Sequence, residues 1–392
     1  MQRIADRFAG ITGSEIRKIF SLLADPEIIS LAGGNPAPET FPSAAIAEIA
    51  EQVLRERGER ILQYGATPGI SSLLELLSRE NADIMRPGDG VITLTGSSQG
   101  IDFFARTVLN EGDPVVVESP TFLGALQTLR FARADIRGVP LEEDGPDIGA
   151  LEAVLREHHP KFFYTIPTFQ NPTGITASAD KRRAVYDLCL KYETLILEDD
   201  PYGQLRFEGS HIPSLKSMDE AGIVCRLASF SKTISPGLRV GYAVAPKDII
   251  QCFNLLKQGA DVHTANLTQA IVCEYIERGF YKPHIDEICG LYRAHRDRML
   301  SALDRHMPAG CTYTRPDGGL FIWVELPESL DAGELFVKCV ENKVAFVPGT
   351  SFFADGGHTN TLRLNFSMPD EKQIDTGIER LCGVIAAALA GR

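Results

Sequence analysis

Ser229-Phe230-Ser231-Lys232, with Pro236-Gly237-Leu238-Arg239-Val240-Gly241 close behind it, is the stretch on which the reading of this chain turns. The preceding run, Ile223 to Leu227, reads as a short buried strand, which puts Lys232 in a loop just beyond a strand end. Ser229 and Ser231 supply hydroxyl donors beside it, and Arg239 adds a planar cation suited to phosphate. A lysine in that setting suits a phosphorylated aldehyde cofactor; a solvated surface loop is the plainer reading of the same residues.

Two upstream segments favour the cofactor. Leu195-Ile196-Leu197-Glu198-Asp199-Asp200-Pro201-Tyr202 is an apolar run ending in carboxylates and a proline, the pattern of a buried parallel strand that delivers an acid at its carboxyl end. Phe162-Phe163-Tyr164-Thr165-Ile166 likewise runs into Gln170-Asn171-Pro172-Thr173-Gly174. Ligands of open α/β sheets collect outside the carboxyl ends of the strands, so three such endings can converge on one ligand. A fourth segment fits them: Gly96-Ser97-Ser98-Gln99-Gly100 follows the strand Val91 to Leu94 and opens a helix with Ile101, Phe104, Ala105 and Val108 on one face. A phosphate there would meet unpaired amides and the positive end of the helix dipole, and helix capping by the serines is compatible with that use.

In order and spacing these residues resemble the fold-type I pyridoxal-phosphate aminotransferases of the class I/II family, and within it the 2-aminoadipate and kynurenine aminotransferase subgroup. The likeness runs from Ile29-Ser30-Leu31-Ala32-Gly33-Gly34-Asn35-Pro36 to Thr361-Leu362-Arg363-Leu364-Asn365-Phe366. It implies an α/β fold: a large domain with a mostly parallel seven-stranded sheet flanked by helices, plus a smaller α+β domain. The expected division is 1–44 as a segment joining the small domain, 45–284 as the large cofactor-binding domain and 285–392 as the small domain.

The resemblance also implies roles. Lys232 matches the Schiff-base lysine, and Asp199 the carboxylate that keeps the cofactor's pyridine nitrogen protonated; alone, Asp199 also reads as a helix N-cap. Tyr202 and Asn171 match donors to the cofactor's phenolic oxygen, and Phe122 the aromatic that stacks on its ring; both aromatics would otherwise be ordinary core. Ser97, Ser98, Gln99, Ser229, Ser231 and Arg239 match the phosphate site. Tyr64 matches the tyrosine that reaches the neighbouring subunit's cofactor, which makes the active unit a homodimer with shared sites. Arg363 matches the arginine that forks the substrate α-carboxylate; on its own it reads as an exposed strand residue.

The implied activity is transfer of an amino group from an L-amino acid of the 2-aminoadipate, aromatic or branched-chain type to 2-oxoglutarate by a ping-pong mechanism. Gly34 allows close backbone approach to substrate, or simply a tight turn. Arg17, on an amphipathic opening helix from Ser14 to Phe20, matches a position that pairs with a distal carboxylate; a solvated helix face is the other reading. Asn35 stands where the subgroup often has an apolar residue. β-Elimination on the same scaffold is an alternative, since fold and cofactor do not fix which bond breaks. A non-catalytic effector-sensing module is another, against which the likeness begins too near the start to leave room for a helix-turn-helix domain.

Composition is that of an ordinary soluble globular protein. The 392 residues are 44% hydrophobic and 23% charged, and 39 basic against 52 acidic residues leave a net charge of −13, which disfavours nucleic acid and anionic membrane as partners. Eight cysteines are scattered singly, with neither CxxC pairs nor metal-ligand spacing to His. They read as reduced residues of a cytosolic protein, and no apolar run reaches membrane-spanning length. Apolar spacing predicts a helix over 45–57 stopped by Gly58, another after Pro283, short strands at 319–324 and 362–366, and a closing helix.

Overall fold

The computed structural model describes residues 27–391 together with Ile4, Ala5, Phe8 and Asp25; the expected helix from Ser14 to Phe20, and Arg17 with it, lies outside the described residues. In chain order β1 (Ile29–Ser30) is followed by α1 (Ser43–Ile61), α2 (Ser71–Glu80), β2 (Asp89–Leu94), α3 (Ser97–Val108), β3 (Pro114–Ser119), α4 (Leu123–Phe131), β4 (Asp135–Glu142), β5 (Gly145–Pro146), α5 (Ile148–His158) and β6 (Phe162–Thr165). Then come α6 (Ala179–Lys191), β7 (Leu195–Asp200), β8 (Val224–Ser229), β9 (Gly241–Pro246), α7 (Lys247–Ala260), α8 (Asn266–Glu277) and α9 (Tyr281–His306). The chain closes with β10 (Thr312–Tyr313), β11 (Phe321–Glu325), α10 (Ala332–Glu341), β12 (Val344–Ala345), β13 (Val347–Pro348), β14 (Thr361–Asn365) and α11 (Glu371–Ala390).

The apolar runs become the interior of one sheet ordered β2-β9-β8-β7-β6-β3-β4-β5. Helices on both faces leave no solvent side, so β6 is buried at all four positions and shows no alternation. Strands β8, β7, β6, β3 and β4 pair in parallel, while β9 is antiparallel to both β8 and β2. Strand β2 therefore runs the same way as β8, and the ends at Leu94, Ser119, Thr165, Asp200 and Ser229 share one edge. Seven of these strands are those expected; the eighth, β5, is a two-residue return of the chain against the end of β4.

Three local expectations change. Helix α3 buries Phe103 as well as Ile101, Phe104 and Ala105, because it lies between the sheet and α7, where Phe103 meets Phe253 edge-on. Gly58 does not stop α1: the backbone departs from helical geometry at Arg57 (φ −134°) and the helix resumes to Ile61, since an isolated glycine costs only about 1 kcal/mol. Helix α9 starts before Pro283, whose missing N–H is harmless in a first turn.

The carboxyl-terminal part forms an antiparallel sheet ordered β10-β11-β14-β13, with β1 and β12 as a separate parallel pair. The amino-terminal segment is tied to it: Leu31 N–H donates to Ala345 O at 2.7 Å, Asn365 N–H to Leu31 O at 2.8 Å, and Ser367 Oγ to Asn35 O at 2.8 Å. Residues 31–35 are thus held against β14 and over the edge of the large sheet. All eight cysteines are free thiols, and among the described residues no helix is long and apolar enough to cross a membrane.

Candidate active site

The shared strand edge opens into a cavity of about 350 Å³. Helix α3 enters it after Gly96, which has φ +84°; a β-carbon there would stand 2.4 Å from Arg239 Nη2, so both the backbone and the guanidinium require glycine. The amides of Ser97 and Ser98 fall in the first helical turn, where no helical acceptor exists, and both residues line the cavity. Arg239 faces them in the left-handed region (φ +54°), a conformation costing of order 1 kcal/mol that an over-determined site tolerates. Its Nη2 donates to Thr95 O at 3.0 Å. Ser229 Oγ donates to Ser231 Oγ at 2.8 Å, and both line the same end. Gln99 turns away: Oε1 accepts from Thr95 N–H at 2.9 Å and Nε2 donates to Asp261 at 2.9 Å.

Asp199, the penultimate residue of β7, is 2% exposed. Tyr164 on β6 donates its hydroxyl to Asp199 Oδ2 at 2.9 Å, whereas Oδ1 is buried without a partner. Burial pushes this carboxyl up to about 7, with the Tyr164 hydrogen bond opposing. Lys232 lies across the cavity, its Nζ donating to Gly34 O at 2.7 Å. Burial first, then the positive charges of Arg363 and Arg239, hold it down at about 8.

The third corner is Arg363, placed on β14 between Trp323 and Val347. It is buried, not exposed: its guanidinium lies 4.2 Å from the Phe321 ring centre and 5.0 Å from that of Phe352, so two aromatic faces replace the water it loses. Nη1 donates to Asn171 Oδ1 at 2.8 Å and Nη2 to Ala32 O at 3.0 Å, while Nε is buried and unpaired. Asn171 Nδ2 donates onward to Tyr202 OH at 3.2 Å, and the Tyr202 ring meets Phe321 edge-on. Phe122, Leu123 and Asn35 complete the wall. Tyr64 is not in this cavity; it is 81% exposed, with its ring edge-on to His263.

Sequence reasoning missed Tyr164 and Glu118. Glu118, at the end of β3, accepts from Ile166 N–H at 3.2 Å and Gln170 Nε2 at 3.1 Å, and so clamps the turn that delivers Asn171; burial lifts it to about 7. A carboxylate closing an apolar run was the available signal, the same one that marked Asp199.

The cavity therefore holds an anion cradle, an unpaired carboxylate oxygen, an amine that burial makes easier to deprotonate and a forked cation. These donors and the orphaned Asp199 Oδ1 fit a phosphorylated pyridine aldehyde that carries one N–H, and a carboxylate beyond it. Strand-end chemistry of this kind on a mostly parallel sheet fits a pyridoxal-phosphate enzyme. The model of the family described as aminotransferase class I and II matches residues 26–381, and the chain belongs to that family: it is a pyridoxal-phosphate-dependent aminotransferase. The 2-aminoadipate transaminase of Thermus thermophilus is 43% identical over 97% of this chain and 96% of its own length. Aromatic-amino-acid aminotransferase 1 of Thermococcus litoralis is 40% identical over 97% of this chain and 93% of its own. Among solved structures, the α-aminoadipate aminotransferase of Thermus thermophilus complexed with N-(5'-phosphopyridoxyl)-L-leucine superposes with TM-score 0.93 at 41% identity, covering 99% of this chain and 98% of that one. The family match lends nothing to β-elimination or to a sensing module.

Proposed function

We propose that this enzyme transfers the amino group of an L-amino acid of the 2-aminoadipate, aromatic or branched-chain type to 2-oxoglutarate in two half-reactions. When bound, pyridoxal phosphate supplies the aldehyde that takes up the amino group and the ring that draws electrons from Cα. Ser97, Ser98, Ser229, Ser231 and Arg239 bind the phosphate. Asp199 Oδ1 holds the proton on the ring nitrogen, and Phe122 covers a ring face and excludes water. Tyr202 and Asn171 donate to the phenolic oxygen. Arg363 forks the α-carboxylate, fixing Cα near Lys232, whose Nζ takes the Cα proton and hands it back within the site. A lysine near 8 is neutral often enough at working pH for that task.

The observation that carries this reading is the convergence of Lys232, Asp199 and Arg363 on one cavity, each displaced from its usual ionisation by burial. The division into 1–44, 45–284 and 285–392 is part of the proposal, supported by the ties of residues 31–35 to β12, β14 and Ser367. So is a cytoplasmic homodimer: Tyr64 and Leu62, 81% and 73% exposed, form a surface suited to a second copy, whose cofactor Tyr64 would reach. Among the described residues, the cations lining the cavity are Lys232, Arg239 and Arg363, all three already engaged. The resemblance assigns a distal substrate carboxylate to Arg17, while aromatic or branched side chains would rest on Phe122 and Leu123.

Adding 2-aminoadipate, glutamate, phenylalanine and leucine singly to the holoenzyme tests the reading. The visible band of the bound cofactor should decline with the true donors and return with 2-oxoglutarate. Pyruvate and ammonia released with no oxo acid present would overturn it.

A further inference from the structure

The phosphate cradle stands on a buried lysine that none of the assignments above uses. We propose that Lys257 is the positioning residue of the cradle, holding the turn from Thr95 to Ser98 through Gln99 and Asp261. The inference rests on the reading of that turn and Arg239 as the phosphate site.

Lys257, on α7, has no exposed surface, and its ammonium meets three acceptors: Gln99 Oε1 at 2.9 Å, Thr264 Oγ1 at 2.9 Å and Asp261 Oδ2 at 3.0 Å. Asp261 Oδ2 also accepts from Thr95 Oγ1 at 2.7 Å and Gln99 Nε2 at 2.9 Å. Gln99 Oε1 accepts the Thr95 amide, and the Thr95 carbonyl accepts Arg239 Nη2. The peptide leading into Gly96 and the guanidinium facing it are thus tied to one ammonium. Lys257 itself does not line the cavity, so it acts through these partners and not on the phosphate.

The energetics favour this role over a purely stabilising one. A buried ion pair costs several kcal/mol to desolvate, and well-packed apolar residues in place of both partners are often neutral or better for stability. What the ammonium supplies is direction: its bond to Gln99 Oε1, with the Thr95 amide on the same oxygen and Asp261 on Nε2, leaves Gln99 a single orientation, away from the cavity, and leaves the Ser97 and Ser98 amides clear for the ligand.

The test compares full-length protein, stripped of cofactor and titrated with pyridoxal 5'-phosphate or with pyridoxal, which lacks the phosphate. Lys257→Met should weaken the phosphorylated ligand about 10- to 100-fold, the scale of a sub-ångström to 1 Å displacement of a binding group, and pyridoxal by less than about 2-fold. Thr264→Val, which removes one acceptor and is the milder change, should shift the same ratio by about 3-fold, and it decides the matter if Lys257→Met does not fold. Equal losses for both ligands, or no loss, overturn the inference. Arg239→Ala reports on the underlying reading: if it shifts the ratio and the Lys257 and Thr264 variants do not, only the role of Lys257 fails; if it does not, the phosphate site itself is misplaced.

Discussion

Replacing Asp199 with Asn should make the cofactor-free protein harder to unfold above neutral pH while disabling the reaction. Burial lifts this carboxyl from 3.8 to about 7, against the hydrogen bond from Tyr164. The folded state keeps the proton to higher pH than the unfolded chain does, so the group costs nothing below 3.8 and its cost grows as the pH rises to about 7. At about 1.4 kcal/mol per unit, the raised pKa costs on the order of 4 kcal/mol at pH 8 and on the order of 1.5–2 kcal/mol at pH 5, where the folded state holds a proton that the unfolded chain releases. Asn still accepts from Tyr164 but places an unpaired N–H where Oδ1 stands, a loss of about 1–3 kcal/mol at every pH. The pH-dependent part isolates the carboxyl. Between pH 5 and 8 the parent should lose on the order of 2–3 kcal/mol relative to Asp199→Asn, read by urea unfolding of the stripped proteins at both pH values. Parallel losses in the two proteins would refute the burial argument. With cofactor restored, the variant cannot hold the ring nitrogen's proton, and turnover should fall by ~10²-fold or more.

Other expectations follow from the same geometry. Arg363→Lys keeps the charge but not the fork, and loses the donor to Asn171; kcat/KM for an amino acid should fall by about 10²-fold while that for the matching amine, which lacks the carboxylate, changes little. An unchanged preference for the amino acid would remove Arg363 from substrate recognition. In the cofactor-free protein the rate at which Lys232 reacts with an amine-directed reagent should rise with pH through about 8 and level off above it; a rate that keeps rising to the ordinary lysine range contradicts the burial argument. Lys232→Ala should abolish multiple turnover. Sedimentation should give a dimer, and Tyr64→Phe should loosen the cofactor by about 10-fold, the worth of one charge-assisted hydrogen bond. A fully active monomer would refute the shared site.

How much of this was legible beforehand depended on whether a residue's role is set locally. Lys232, Asp199 and Asn171 could be read because each follows an apolar strand, and strand ends of a parallel sheet share an edge. Gln99 could not. Its place in the first turn of α3 was visible, but its direction is set by Lys257 and Asp261, more than 150 positions away. Arg363 looked exposed because strand pattern alone cannot show that Phe321 and Phe352 cover its guanidinium. Tyr164 was hidden by the uniform burial of β6, where alternation no longer distinguishes the two faces. Gly58 was over-read as a stop, since α1 packs on α8 and tolerates a local departure at Arg57.

Asp199, Lys232 and Arg363 sit together in a cavity that penalises the charge of all three. Burial drives each toward its neutral form: the aspartate up to about 7, the lysine down to about 8 and even the arginine down to about 10. Two polar atoms, Asp199 Oδ1 and Arg363 Nε, are buried with nothing to bond. Such groups destabilise the empty fold, and no packing advantage repays them. The charge pattern is nonetheless complementary to a particular ligand: a protonated ring nitrogen against Asp199, phosphate against Arg239 and a carboxylate against Arg363. The ring nitrogen and the carboxylate would favour the ionised states that burial opposes at Asp199 and Arg363, so ligand binding and fold stability are coupled through those two side chains. Cofactor and substrate should therefore raise resistance to unfolding most at pH values where the empty site is most strained, above 7 for Asp199. Removing that strain by Asp199→Asn should also remove the pH-dependent part of the cofactor's stabilising effect.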